Sequence, residues 1–170
     1  MRKTIESSLA GATLTDSSLS GVSYDPQAMM PDVKVLKIGG QSIMDRGRSA
    51  LFPILDELVA AKDNYKLLIC CGGGTRARHI YSVASDLELP TGVLAALGGY
   101  VPRQNARMVQ MLLARHGGIF MLHDDFEKLP LYFRLGCMPI MTGMPPFGYW
   151  EKPTENGRIP QHRTDAGVFL

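Results

Sequence analysis

Apolar residues in this chain fall into two kinds of run. Short, nearly continuous ones, Val33–Ile38 and Lys66–Cys71, alternate with longer stretches in which apolar positions recur every three or four residues. The continuous runs read as strands buried on both faces, because a strand with one solvated face would alternate polar and apolar residues instead. The periodic stretches read as helices. Residues from Ser49 to about Lys62 place Phe52, Leu55, Leu58 and Val59 on one side, with Pro53 tolerable in the first turn. Thr75 to about Leu87 places Ile80, Val83, Ala84 and Leu87 at helical spacing. Pro90 and Gly92 then break the chain. Pro102 and Arg103 open a third helix with Ala106, Val109, Leu112 and Leu113 inward, and Gly117 and Gly118 close it. Ile119–Leu122 reads as a third strand, Phe126–Leu135 as a short helix or irregular segment, and Cys137–Met141 as a fourth strand that Pro139 makes imperfect.

Strand alternating with helix predicts an α/β fold with a mainly parallel sheet covered on both faces. Parallel strands bring their carboxyl ends to one edge, and ligands of such sheets bind there. Two strands reach that edge in glycines: Lys37-Ile38-Gly39-Gly40, and Cys70-Cys71-Gly72-Gly73-Gly74-Thr75. A glycine turn after a strand leaves backbone N–H groups pointing into a crevice where phosphate oxygens can sit. A tight strand-to-helix turn without a ligand is the plainer use of the same glycines. Lys37 lies inside an apolar strand, so its ammonium must reach an edge or a counter-charge. It reads either as a point charge for a bound phosphate or as a lysine snorkelling to solvent.

Composition changes this picture little. Of 170 residues, 45% are hydrophobic and 20% charged, enough apolar content for one domain with a core. The formal charge of +2 excludes no class of partner, and aromatic and basic residues do not interleave as in single-strand nucleic-acid binders. No run is long enough to span a bilayer. Residues 1–31 are rich in Ser, Thr, Gly and Asp, lack a period and carry no secretory h-region, so they read as an amino-terminal arm. The three cysteines, Cys70, Cys71 and Cys137, form no C-x-x-C pair and read as buried thiols of a cytoplasmic protein.

Other candidate chemistry stays open between two uses. Arg76, Arg78 and His79 follow the second glycine turn and hold either a second anion or a solvated basic face, as do Arg46, Arg48, Arg103 and Arg107. His123, with Asp124 and Asp125 past the third strand, offers metal or oxometalate ligands or an exposed polar loop. Met138, Met141 and Met144 read as core or subunit interface, and Phe147, Tyr149 and Trp150 as a lid or interface patch. Thr164-Asp165 looks like the start of a helix, yet the chain stops five residues later, so it reads as cut short.

Six stretches occur here in one order: Lys37-Ile38-Gly39-Gly40-Gln41-Ser42, Asp45-Arg46-Gly47-Arg48, Thr75-Arg76-Ala77-Arg78-His79, Gln104-Asn105-Ala106, Gly143-Met144-Pro145-Pro146 and Arg163-Thr164-Asp165-Ala166-Gly167. In this the chain resembles the amino acid kinase superfamily. Within it the likeness is to the molybdenum-storage branch, nearer its beta-type than its alpha-type subunit. The resemblance implies a three-layer αβα sandwich, of which residues 32–170 form the amino-terminal part. It implies ATP and Mg as cofactors, and molybdate or polyoxomolybdate as the stored oxyanion. It also implies a homologous subunit as partner in a hetero- or homo-oligomer, a hexamer. Lys37 and Asp165 would serve as catalytic groups. Lys37, Gly39, Gly40, Gly72, Gly73, Gly74, Thr75 and Arg78 would bind the nucleotide, and His123 would be a metal ligand. The alternative within the same superfamily is a uridylate-like small-molecule kinase that transfers the ATP γ-phosphoryl group. Neither nucleic acid nor a membrane is implied.

Overall fold

In the computed structural model, residues 30–144 are described. The arm expected up to residue 31 lies outside that range but for its last two residues, as do Phe147, Tyr149, Trp150 and Asp165.

Among the described residues, four strands form one parallel sheet. They are β1 (Val33–Ile38), β2 (Lys66–Cys71), β3 (Gly118–Phe120) and β4 (Met138–Thr142), and their spatial order is β1-β2-β4-β3. Four helices join them: α1 (Arg48–Ala61), α2 (Thr75–Asp86), α3 (Thr91–Leu113) and α4 (Leu129–Arg134). The α/β fold with a parallel sheet is thus the one that the alternating pattern predicts. β2 lies inside the sheet and is buried from Leu67 to Cys71, which is why its sequence is unbroken by polar residues. On one face of the sheet, Leu51, Leu55 and Leu58 of α1 and Ala106, Val109 and Leu113 of α3 pack on Ile38, Ile69, Cys71 and Ile140. Met138, Met141 and Met144 are all buried, the core use expected for that stretch.

β4 is an inner strand although it contains Pro139. Met138 donates to the Gly117 carbonyl and Ile140 accepts from Met121, so these alternate residues bond toward β3. Pro139 therefore faces β2, and pairing with β2 begins only one residue later, at Ile69 opposite Ile140. The missing N–H falls just outside that ladder.

Four helical expectations need correction. α3 does not begin at Pro102; it runs unbroken from Thr91 to Leu113, with Pro102 buried inside it. Gly98 lies against the Tyr81 ring, where any side chain would collide, and the Pro102 ring sits under Gly73, 3.3 Å from where a β-carbon would be. Gly98 and Pro102, the latter read as a helix start, thus belong to the helix's packing surface. α2 buries Ala77, Tyr81 and Ala84, while Val83 and Leu87 are exposed, because the small residues let α2 close on Leu94 and Val101 of α3. Leu112 likewise faces outward, and Pro53 is the sixth residue of α1 rather than part of its first turn.

Candidate functional site

Because the strands are parallel, the carboxyl ends of β1 and β2 share an edge. Lys37 is level with Cys70 in the register, and each is followed two residues later by its glycine turn. Lys37 lies on the sheet face opposite Ile38, with its side chain exposed.

The two glycine turns interlock. A β-carbon on Gly40 would lie 2.5 Å from Gly73 C and Gly74 Cα, and nearer still to Gly74 N. A β-carbon on Gly74 would lie 2.6 Å from Gly40 C and 2.8 Å from Gln41 N. Gly74 also has φ +73°, a conformation that disfavours any side chain. Backbone thus packs on backbone along a seam. The ladder continues into the second turn, where Gly72 N–H donates to Ile38 O at 2.9 Å. Beyond it, among the described residues, no acceptor meets the N–H groups of Gly40, Gln41, Gly73 or Gly74. Successive unmet amides can cradle an anion, and Lys37 lies two residues before the first of the two turns.

Asp45 and Asn105 stand behind this seam. The Asp45 N–H donates to Gly40 O at 2.8 Å, closing the first turn. Its carboxylate accepts from Thr75 N–H at 2.7 Å and from the Thr75 hydroxyl. Arg76 Nε lies 3.8 Å from the same carboxylate, whose side chain is 16% exposed although its backbone is open. Burial works to raise the Asp45 carboxyl, but the two Thr75 hydrogen bonds and the charges of Arg76 and Arg78 outweigh it and hold it below the ordinary aspartate value. Asn105 is completely buried in α3. Its amide donates to Gly72 O at 2.6 Å and its carbonyl accepts from the Arg76 guanidinium.

The fold therefore gathers Lys37, Gly39, Gly40, Gly72, Gly73, Gly74, Thr75 and Arg78 at the ends of β1 and β2. His123 lies on the same sheet edge past β3, and its Nε2 is 2.6 Å from Met144 O, tying that turn to the end of β4. Arg76 belongs to neither alternative offered for it, since it bridges Asp45 and Asn105. Arg48 and Arg107 stack on the rings of Phe52 and Phe120. Burial pushes the Cys70 thiol up to about 12 and that of Cys71 higher, so both are unreactive core residues. Asp45 and Asn105 had no role assigned from sequence. The signal for Asn105 was present, as a polar residue on the apolar stripe of Val101, Ala106 and Val109.

A parallel α/β sheet with two joined glycine turns at its carboxyl edge defines the class. The sequence profile of the amino acid kinase family matches residues 32–129, and the chain belongs to that family. It is 46% identical over 168 residues to the molybdenum storage protein subunit beta of Azotobacter vinelandii (strain DJ / ATCC BAA-1303). The match covers 98% of this chain and 62% of that protein, so the chain spans less than two thirds of its relative.

Proposed function

We propose that this chain is the amino-terminal part of a molybdenum-storing subunit that binds ATP phosphates at the seam between its glycine turns. The observation that carries this reading is the row of unmet amides at Gly40, Gln41, Gly73 and Gly74, level with the end of the strand that bears Lys37. The relative's name supplies the cargo, molybdenum, which would be held as molybdate or a polyoxomolybdate. The residues fit a triphosphate: glycines allow close approach, the amides donate, and the Lys37 ammonium adds a positive charge where negative charge collects. They do not form a dedicated magnesium cage. Among the described residues no three His, Cys, Asp or Glu side chains gather, and Asp45 is engaged by Thr75 and Arg76. Magnesium enters this reading as the counter-ion of the nucleotide. Asp165 and a homologous partner subunit complete the proposal from outside the described residues.

The test is molybdenum analysis after incubation with molybdate and magnesium ATP, followed by desalting. Several molybdenum atoms per chain are expected; none, or a single ion per chain, overturns storage. Rapid phosphoryl transfer to a small-molecule acceptor in the same preparation would favour the kinase alternative. Lys37→Ala should weaken ATP binding by about tenfold, the effect of losing one charge-assisted contact to phosphate, as read by calorimetry.

A further inference from the structure

The amino end of α2 is capped from a distance. Residue 74 cannot supply the cap, because its positive φ and the backbone of Gly40 leave no room for a side chain. The acceptor for Thr75 N–H comes instead from Asp45, thirty positions earlier in the chain. Asp45 is bonded at both ends: its backbone N–H holds Gly40 O in the first turn, and its carboxylate holds the residue that follows the second. Arg76 and Asn105 extend the connection to Gly72 O, so the contacts form a closed ring around the seam.

We propose that Asp45 is a positioning residue whose carboxylate clamps the two glycine turns together, so that their amides meet a single nucleotide phosphate chain. This rests on the nucleotide reading above. A carboxylate beside an anion site would ordinarily repel the ligand, but here the Arg76 guanidinium, 3.8 Å away, offsets its charge while Thr75 fixes its position. Its geometric effect therefore outweighs its charge. The clamp also sets which amides are available. Thr75 N–H is taken, so the phosphate falls to the glycine amides of the seam rather than to the first turn of α2.

The full chain and its Asp45→Ala and Asp45→Asn variants would be compared by ATP calorimetry and by amide hydrogen exchange without ligand. Asp45→Ala should weaken ATP binding by about tenfold, in line with loss of a charged hydrogen-bond acceptor. Asp45→Asn retains an acceptor for Thr75 N–H and should stay within about threefold of the wild type. Exchange should quicken in Asp45→Ala at the bonded amides of both turns, those of residues 43–45 and of residue 72. If Asp45→Ala melts lower yet binds ATP within about twofold of the wild type, Asp45 is only a helix cap and the inference fails. Tighter binding by Asp45→Asn would show that repulsion dominates, and would also overturn it. If the wild type itself binds no ATP, the nucleotide reading fails separately, and exchange alone judges the clamp. Unchanged exchange at residues 43–45 in Asp45→Ala would then overturn it, and faster exchange there and at residue 72 would uphold it.

Discussion

Gly40→Ala is expected to destabilise the protein by about 3 kcal/mol or more and to abolish binding at the seam. The added methyl would sit 2.5 Å from Gly73 C and Gly74 Cα. These are backbone atoms in a turn that is itself fixed by Asn105 and by the ladder bond from Gly72 to Ile38. A flexible side chain could rotate away from such a collision, whereas here one whole turn must leave the other. The opposite sign is expected at Gly92. It lies in α3 with no atom within 4 Å of its would-be β-carbon and no left-handed φ. Gly92→Ala should therefore stabilise by about 0.5 kcal/mol, chiefly by reducing the freedom of the unfolded chain. Denaturant midpoints of the two variants check both. A Gly40→Ala protein as stable as the wild type would mean that the turns do not touch.

Asn105→Ala is expected to lower stability by about 3 kcal/mol, because it leaves the buried Gly72 carbonyl without its donor, removes one of the Arg76 contacts and opens a cavity. Asn105→Leu fills the space but satisfies neither group. Asn105→Asp keeps an acceptor for Arg76 but sets a carboxylate oxygen against Gly72 O, where a donor is needed. No ordinary side chain presents a donor and an acceptor in this arrangement except the amide. All three variants should unfold at lower denaturant than the wild type, and a loss below about 1 kcal/mol in Asn105→Ala would contradict the network described.

The strands were legible because burial on both sheet faces leaves no polar residue to interrupt them, and each expected strand falls within two residues of its observed bounds. Helix presence was equally legible, but helix faces were not. Periodicity marks the aliphatic residues, and α2 instead turns Ala77, Tyr81 and Ala84 inward, since the two alanines let it close on α3 and the Tyr81 ring fits against Gly98. α3 was misread at Gly92 and Pro102 because residues that commonly mark a break or a helix start lie here inside one helix, Gly92 in its first turn and Pro102 packed under Gly73. At the site, the glycine turns announced themselves, as their shape depends on neighbouring residues. The clamp did not. Asp45, Thr75, Arg76 and Asn105 come from three separate elements, and no local pattern records that they meet.

The strand order β1-β2-β4-β3 also shapes how the chain can be assembled. β3 is made before β4, yet its partner in the sheet is β4, which joins it to β2 through pairs such as Ile69 with Ile140 and Phe120 with Ile140. During synthesis the strand that unites the sheet is thus the last of the four to leave the ribosome. Until Met138–Thr142 emerges, β3 has no strand to pair with and the place beside β2 stays an open slot, and loop closure over the whole α2–α3 crossover must precede the final pairing. Such late, long-range closure makes folding slow relative to helical proteins of this size. It also gives translation speed through the segment after α3 a direct influence on how long that slot stays open.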